Sequence, residues 1–228
     1  MQVDVAFTPA EAASAPTGIV VDVLRATSTI AQALDAGYER VVCCAEIEDA
    51  RALRMEGTLL AGERMCVRIP GFDLGNSPHE FTERRGETVI LTTTNGTRTI
   101  LAAAERCERV VAASLLNLAA VAADARGRGE DVAIVCAGVE GAFTLDDAYC
   151  AGRLVEEIGG DATDAAEAAV RIRRSFASAY DGLAASKSAR NLFESGLEAD
   201  VEWCSREGAL DVVPRLIRLA AGAAELVS

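Results

Sequence analysis

The sequence predicts an α/β fold, a layered arrangement in which a largely buried mixed sheet is flanked by helices. Three observations carry that reading. Short runs of consecutive apolar residues recur along the chain, and continuous rather than alternating hydrophobicity belongs to strands covered on both faces. Longer segments with helical spacing lie between those runs, the alternation from which α/β layers are built. Small polar residues gather where the apolar runs stop, the place at which open α/β sheets hold ligands.

In chain order, residues 18–23 (GIVVDV) read as a buried strand and residues 27–34 as the helix after it. Residues 40–45 (RVVCCA) form the next strand, 48–55 a helix, and 58–61 a further strand. Residues 62–80 (GERMCVRIPGFDLGNSPHE) break the rhythm as a long loop with glycine and proline. Loops of that length in compact domains usually serve function, and this one mixes apolar and charged residues. A strand follows at 88–92, a helix at 97–104, strands at 109–112 and 131–136 with a helix at 117–125 between them, and a helix at 145–158. Beyond Gly160 the chain turns alanine-rich and helical, at 163–179 and 187–194, then ends in DVVP (211–214) and a final amphipathic run. Residues 1–160 are therefore expected to form the α/β core that carries the phosphate-binding and metal-binding loops. Residues 161–228 are expected as a helical or α+β part packed on that core, either a smaller C-terminal α/β lobe or a continuation of one domain.

A chain of 228 residues can bury a substantial core, and half its residues are hydrophobic. Only 4% are aromatic, so alanine, valine and leucine must fill the interior. The net charge, 22 − 35 = −13, argues against nucleic acid or an anionic membrane as partner and turns any anionic ligand into a problem of local charge. No apolar run nears the ~20 residues that span a bilayer. The opening MQVDVAFTPAE has no basic and apolar leader pattern, and a soluble, cytoplasmic protein is expected. Cysteines at 43, 44, 66, 107, 136, 150 and 204 include no C-x-x-C pair, and His79 has no cysteine close to it, which disfavours zinc. Their odd number fits reduced thiols packed as small hydrophobes. The GNSPH around His79 is unlike a nucleophile elbow, which disfavours a Ser-His-Asp hydrolase.

Chemistry is expected at the strand ends. In DVLRATST (22–29), Thr27 or Ser28 is placed to cap the next helix, whose free N–H groups attract anions, and Arg25 adds a cationic fork. Asp22 beside an anion site calls for an intervening cation, unless the acid itself reacts; the plainer alternative is that Asp22 positions Arg25. In LTTTNGTRTI (91–100), Asn95-Gly96 permits a tight turn, while Thr93, Thr94 and Thr97 add hydroxyl donors. Arg98 in the first helical turn opposes the helix dipole, a cost explained if it meets an anion. An ordinary capped turn with threonine-rich strand ends is the alternative there. The long loop adds Glu63, Arg64, Asp73, Asn76 and Ser77. Magnesium takes hard oxygen ligands, commonly one or two carboxylates with water and phosphate oxygens, and Asp22, Glu63 and Asp73 are the candidate ligands. Each could equally pair with a nearby arginine. After CAGVEG (136–141), Thr144 and Asp147 resemble a capping box, although Asp146 and Asp147 also stand where an acid could serve catalysis.

These blocks resemble the 2-phosphosulfolactate phosphatase family of coenzyme M biosynthesis. The stretches that carry the likeness are VVDVLRATSTI (20–30), GER (62–64) with GFDLGNSP (71–78), TTTNGTR (92–98), and CAGVEG with LDDAYCAG (136–152). A weaker match runs through GLEADVEWC (196–204) and DVVP (211–214). The resemblance implies Mg²⁺-dependent hydrolysis of the phosphate ester of a 2-hydroxy acid, with 2-phosphosulfolactate cleaved to sulfolactate and phosphate, and a homodimer. On that basis Asp22, Arg25, Asp146 and Asp147 are the expected catalytic residues, with Asp22 as metal ligand or as attacking group. Thr27, Ser28, Arg64, Asn76, Ser77, Thr93, Thr94, Asn95, Gly96, Thr97 and Arg98 are the expected phosphate- and substrate-binding set, and Asp22, Glu63 and Asp73 the metal set. Asp146 replaces a usual glutamate, Cys66 a usual glycine, and Ala189 a common glycine before Arg190. A phosphotransferase, a lyase on a related phosphorylated acid, or a non-catalytic phosphometabolite sensor would use the same anion cradles.

Overall fold

The computed structural model describes residues 1–228 apart from Ala12 and Ala221. Five strands lie where apolar runs were expected: β2 (Thr17–Val21), β3 (Arg40–Cys44), β6 (Thr88–Thr92), β7 (Arg109–Ala113) and β8 (Val132–Cys136). Strand β4 (Thr58–Arg64) runs three residues further than expected and folds back on β5 (Val67–Arg68), so the long loop opens as a small hairpin. Strands β1 (Gln2–Ala6) and β9 (Asp161–Ala162) lie at the far edge. The helices are α1 (Ala26–Asp35), α2 (Ile47–Ala52), α3 (Gly96–Ala104), α4 (Leu118–Arg128), α5 (Leu145–Ile158), α6 (Asp164–Arg174), α7 (Ala179–Ala184), α8 (Lys187–Glu194) and α9 (Glu198–Cys204). The helical run expected over 163–179 breaks between α6 and α7, where Ser178 turns to accept from the Asp181 N–H and starts a new helix.

The final amphipathic run of the chain forms strands. Strands β10 (Arg215–Ala220) and β11 (Ala223–Val227) pair antiparallel and insert into the middle of the sheet, in the order β5-β4-β6-β3-β11-β10-β7-β2-β8-β1-β9. On one side β4, β6 and β3 are parallel, and on the other β7, β2, β8, β1 and β9 are parallel. Strand β11 pairs antiparallel with β3, and β10 with β7. Without that hairpin, β3 and β7 would each present an open edge of unpaired backbone groups. The final amphipathic run of the sequence thus closes two edges at once. One mixed sheet therefore draws strands from both 1–160 and 161–228.

The pleat divides the core. Ile19 and Val21 pack with Val111, Ile134 and the inner faces of α4 and α5, while Val20 points the other way toward Ile30, Val41, Val89 and Ile100. Helices α1 and α3 thus cover one face, and α4 to α9 the other. The seven cysteines are free, and all but Cys66 are buried; Cys43 and Cys44 point to opposite faces of β3.

Candidate active site

The turns that follow β2, β6 and β8 meet, although β6 belongs to one parallel set and β2 and β8 to the other, with the antiparallel β10–β11 hairpin between the two. A cleft of about 390 Å³ opens at this point, lined by Asp22, Arg25, Glu63, Asn76, Thr93, Thr94, Asn95, Glu140, Lys187, Ser188 and Asn191 among others. The DVLRATST and LTTTNGTRTI turns, far apart in sequence, are in direct contact: Gly96 abuts both Ala26 and the Asp22 carboxylate.

Asp22 lies between two helix starts. Its Oδ1 accepts from the Ala26 N–H of α1 at 3.2 Å, and its Oδ2 lies against Gly96, the first residue of α3. Both helix N-termini favour negative charge. Burial works against them and dominates, and the charges of Asp146 and Glu63 add to it, so the Asp22 carboxyl is pushed up to about 7. The capping expected of Thr27 and Ser28 falls to Asp22 instead. Because α1 starts at Ala26, these hydroxyls sit inside the first turn and bond backward. Thr27 Oγ1 donates to the Asp22 carbonyl at 2.9 Å, and Ser28 Oγ donates to the Val23 carbonyl at 2.7 Å.

Glu63 sits across the cleft at the end of β4. Its Oε1 accepts from the N–H and hydroxyl of Thr94 at 3.1 and 3.0 Å, and its Oε2 accepts from the Cys66 N–H at 2.9 Å. It therefore ties the β4–β5 hairpin to the threonine turn. Cys66 holds φ of 65°, a left-handed conformation that glycine adopts without cost. Thr97 donates its backbone N–H to Thr93 Oγ1, and their hydroxyls are 3.3 Å apart. The side-chain amide oxygen Oδ1 of Asn76 is buried and has no hydrogen-bond partner among the described residues, an open acceptor on a cleft-lining side chain.

Arg25 is anchored from behind. Its Nη1 donates to Asp200 Oδ2 at 2.7 Å, with both side chains buried, and Nη2 donates to the Cys66 carbonyl at 3.4 Å. Asp200 also accepts from Ser77 Oγ, and His79 Nε2 lies 3.0 Å from its Oδ1 at an angle outside hydrogen-bond geometry. A serine-hydrolase relay needs the serine on the histidine; here both turn to the aspartate. Sequence reasoning missed Asp200. The available signal was an acid on the apolar face of α9, flanked at helical spacing by Leu197, Val201 and Cys204.

Asp146 and Asp147 lie behind Asp22 rather than along the cleft. Asp147 Oδ1 accepts from the Val23 N–H at 2.9 Å and Oδ2 from the Gly138 N–H at 2.8 Å, so one carboxylate joins the ends of β2 and β8. Burial first, then the charges of Asp146 and Asp22, push its carboxyl well above the usual range. Asp146 accepts from Ser188 Oγ at 3.0 Å, and burial pushes its carboxyl up as well. Thr144 makes no capping hydrogen bond, so the expected capping box is not formed. Burial also pushes the Cys136 thiol well up, which leaves it inert as a nucleophile.

Besides Thr27, Ser28, Ser77, Gly96, Thr97, Asp146 and Asp147, the expected residues Arg64, Arg98 and Asp73 also stand outside the cleft lining, and these last three have partners of their own. Arg64 donates to the carbonyls of Glu63 and Ala45 and to Thr92 Oγ1, which spends its guanidinium on the backbone. Arg98 is exposed and pairs with Glu46. Asp73 pairs with Arg54 and accepts from the Leu60 N–H at 2.9 Å. No ready-made group of three acid, histidine or cysteine ligands occurs among the described residues. Of the carboxylates that line the cleft, Asp22 and Glu63 come from the expected metal set and are hard donors that feel each other's charge, and Arg25 is already committed to Asp200. One or two carboxylates with water and substrate oxygens is the donor set magnesium commonly takes.

Comparison with known proteins shows the family. The family model described as 2-phosphosulpholactate phosphatase matches residues 5–218. A probable 2-phosphosulfolactate phosphatase of Thermotoga petrophila is 42% identical over 219 residues, 94% of this chain and 95% of that protein. One of Thermus thermophilus is 42% identical, with 87% of this chain and 86% of that protein covered. A 2-phosphosulfolactate phosphatase of Methanothermobacter thermautotrophicus is 39% identical, with 86% and 84% covered. With the match running from the first strand into the terminal hairpin, the chain belongs to the 2-phosphosulpholactate phosphatase family.

Proposed function

We propose that this protein hydrolyses the phosphate ester of a sulfonated 2-hydroxy acid, 2-phosphosulfolactate, to sulfolactate and phosphate, and that it does so with Mg²⁺. The observation that carries the reading is the placement of one carboxylate, Asp22, between the starts of α1 and α3 on the floor of a cleft shared by two strand-end turns. Helix N-termini and threonine donors suit a phosphoryl group. Mg²⁺ held by Asp22 and Glu63 would supply positive charge to the phosphoryl oxygens as negative charge builds on them. Asp22 acts as metal ligand or as the group that attacks phosphorus. Thr93, Thr94 and Asn95 border the phosphoryl position, and the unpartnered amide oxygen of Asn76 offers an acceptor to a metal-bound water or a substrate hydroxyl. Arg25, held by Asp200, presents a cationic surface within the cleft's wall.

The test is a phosphate-release screen over phosphorylated 2-hydroxy acids, with Mg²⁺ and with a chelator. Metal-dependent release from 2-phosphosulfolactate supports the proposal. Tight binding without release, with metal present, would instead mark a sensor of phosphorylated acids. Trapping an acyl phosphate on Asp22 in a single turnover separates its roles, because nucleophilic attack passes the phosphoryl group through that carboxylate and direct attack by water does not.

We also propose that the protein acts as a homodimer in the cytoplasm. Sedimentation at micromolar concentration tests the first part, with a monomer as the contrary result.

A further inference from the structure

The substrate proposed above carries a second strong acid besides the phosphate and the carboxylate, and the cleft has few cations to meet it. Of its lining residues only Arg25 and Lys187 are cationic, against the acids Asp22, Glu63, Glu140 and Glu194. Arg25 is locked to Asp200 by a buried pair at 2.7 Å. Lys187 pairs at 3.1 Å with Glu140, and both side chains are about half exposed or more, at 48% and 76%. An exposed lysine–glutamate pair is held weakly, so an incoming anion can take the lysine from it.

The local sequence places Lys187 for this. Ser186 caps α8 by accepting from the Ala189 N–H, so the helix begins at Lys187. Lys187, Asn191 and Ser195 recur every fourth residue and therefore form one stripe, and all three line the cleft. Ser188 bonds Asp146, whose charge is felt by Asp22, which fixes the stripe to the catalytic end of the cleft. Across the mouth, the Glu140 N–H donates to Asn95 Oδ1 at 3.3 Å, so the loop bearing lysine's present partner is tied to the phosphate-binding turn.

We infer that Lys187, with Asn191 beside it, is the anchor for the substrate's sulfonate, and that the sulfonate displaces Glu140 from the lysine on binding. This inference rests on the substrate reading above. A sulfonate stays anionic throughout the working pH range and presents three equivalent oxygens. A flexible ammonium meets that symmetry as a point charge, without the planar fork that suits a carboxylate.

The experiment compares Lys187→Gln and Lys187→Arg with the parent protein on 2-phosphosulfolactate and on 2-phospholactate, which lacks the sulfonate. The expected result is a fall of about ten-fold in the ratio of their kcat/KM values for Lys187→Gln, mostly through KM on the sulfonated substrate, with partial rescue by arginine. A ratio that stays at the parent value overturns the assignment. Calorimetric titration with sulfolactate, against lactate as control, judges the anchor independently of hydrolysis. If the parent protein releases no phosphate from either ester, the hydrolytic reading fails; the anchor then stands if sulfolactate binding needs Lys187 and falls if it does not. Glu140→Gln removes the competing carboxylate and should tighten sulfolactate by about three-fold, and a weakened grip would overturn the displacement.

Discussion

A Cβ built on Gly96 would lie 2.7 Å from Asp22 Oδ2 and 2.5 Å from the Ala26 Cβ, so the turn after β6 rests directly on the carboxylate at the end of β2. Neither neighbour can yield easily, because Ala26 belongs to the first turn of α1 and Asp22 caps it. Gly96→Ala is expected to destabilise by about 1–3 kcal/mol, the usual cost of overfilling a packed site. It should also lower kcat/KM by about ten-fold or more through displacement of Asp22. Urea denaturation and phosphate-release kinetics measure the two effects separately.

Asp22→Asn should reduce phosphate release by about 10³-fold or more, whichever of its two roles Asp22 plays. The same change should make the protein more stable above neutral pH in the absence of divalent cations. Folding raises this carboxyl from 3.8 to about 7, so the folded state binds the proton more tightly than the unfolded chain does. Its contribution is fully present below pH 3.8 and is lost as pH rises through about 7. Asp146 and Asp147 shift in the same direction. Thermal midpoints in chelator should therefore fall for the parent protein between pH 4 and pH 8, and less for Asp22→Asn. Midpoints that rise together over that interval would refute the burial argument.

Asp200 bears on stability more than on chemistry. Asp200→Ala strands the buried Arg25 charge and should cost about 3–5 kcal/mol. The paired replacement Arg25→Met with Asp200→Leu should recover most of that loss in chemical denaturation while phosphate release stays depressed. Recovery of both would remove Arg25 from the site.

Arg98→Ala should change kcat/KM by less than about two-fold and stability by less than about 0.5 kcal/mol, because the side chain is exposed and its partner Glu46 is exposed too. A loss of ten-fold in kcat/KM would place Arg98 at the substrate after all.

The apolar runs, their alternation with helices, and the polar strand ends belong to local chemistry, and the residues alone were enough to predict them. That β2, β6 and β8 are strands follows from their hydrophobicity on both faces, but the meeting of their turns does not, because β6 pairs with β3 and β4 while β2 pairs with β7 and β8. Local pattern does not register what lies far along the chain. Arg25 finds Asp200 across 175 residues, and Ser188 reaches Asp146 across 42. The terminal amphipathic run does not say where it will lie, and it becomes a hairpin that fills two open sheet edges. Arg98, Arg64 and Asp73 have the right side chains in the right blocks; only packing decides that one faces solvent, one is spent on backbone carbonyls and one binds Arg54. Sequence by itself determined which strand ends would carry polar groups. The tertiary structure decided which of those groups face one another, because burial and charge pairing depend on distances that no run of neighbouring residues contains.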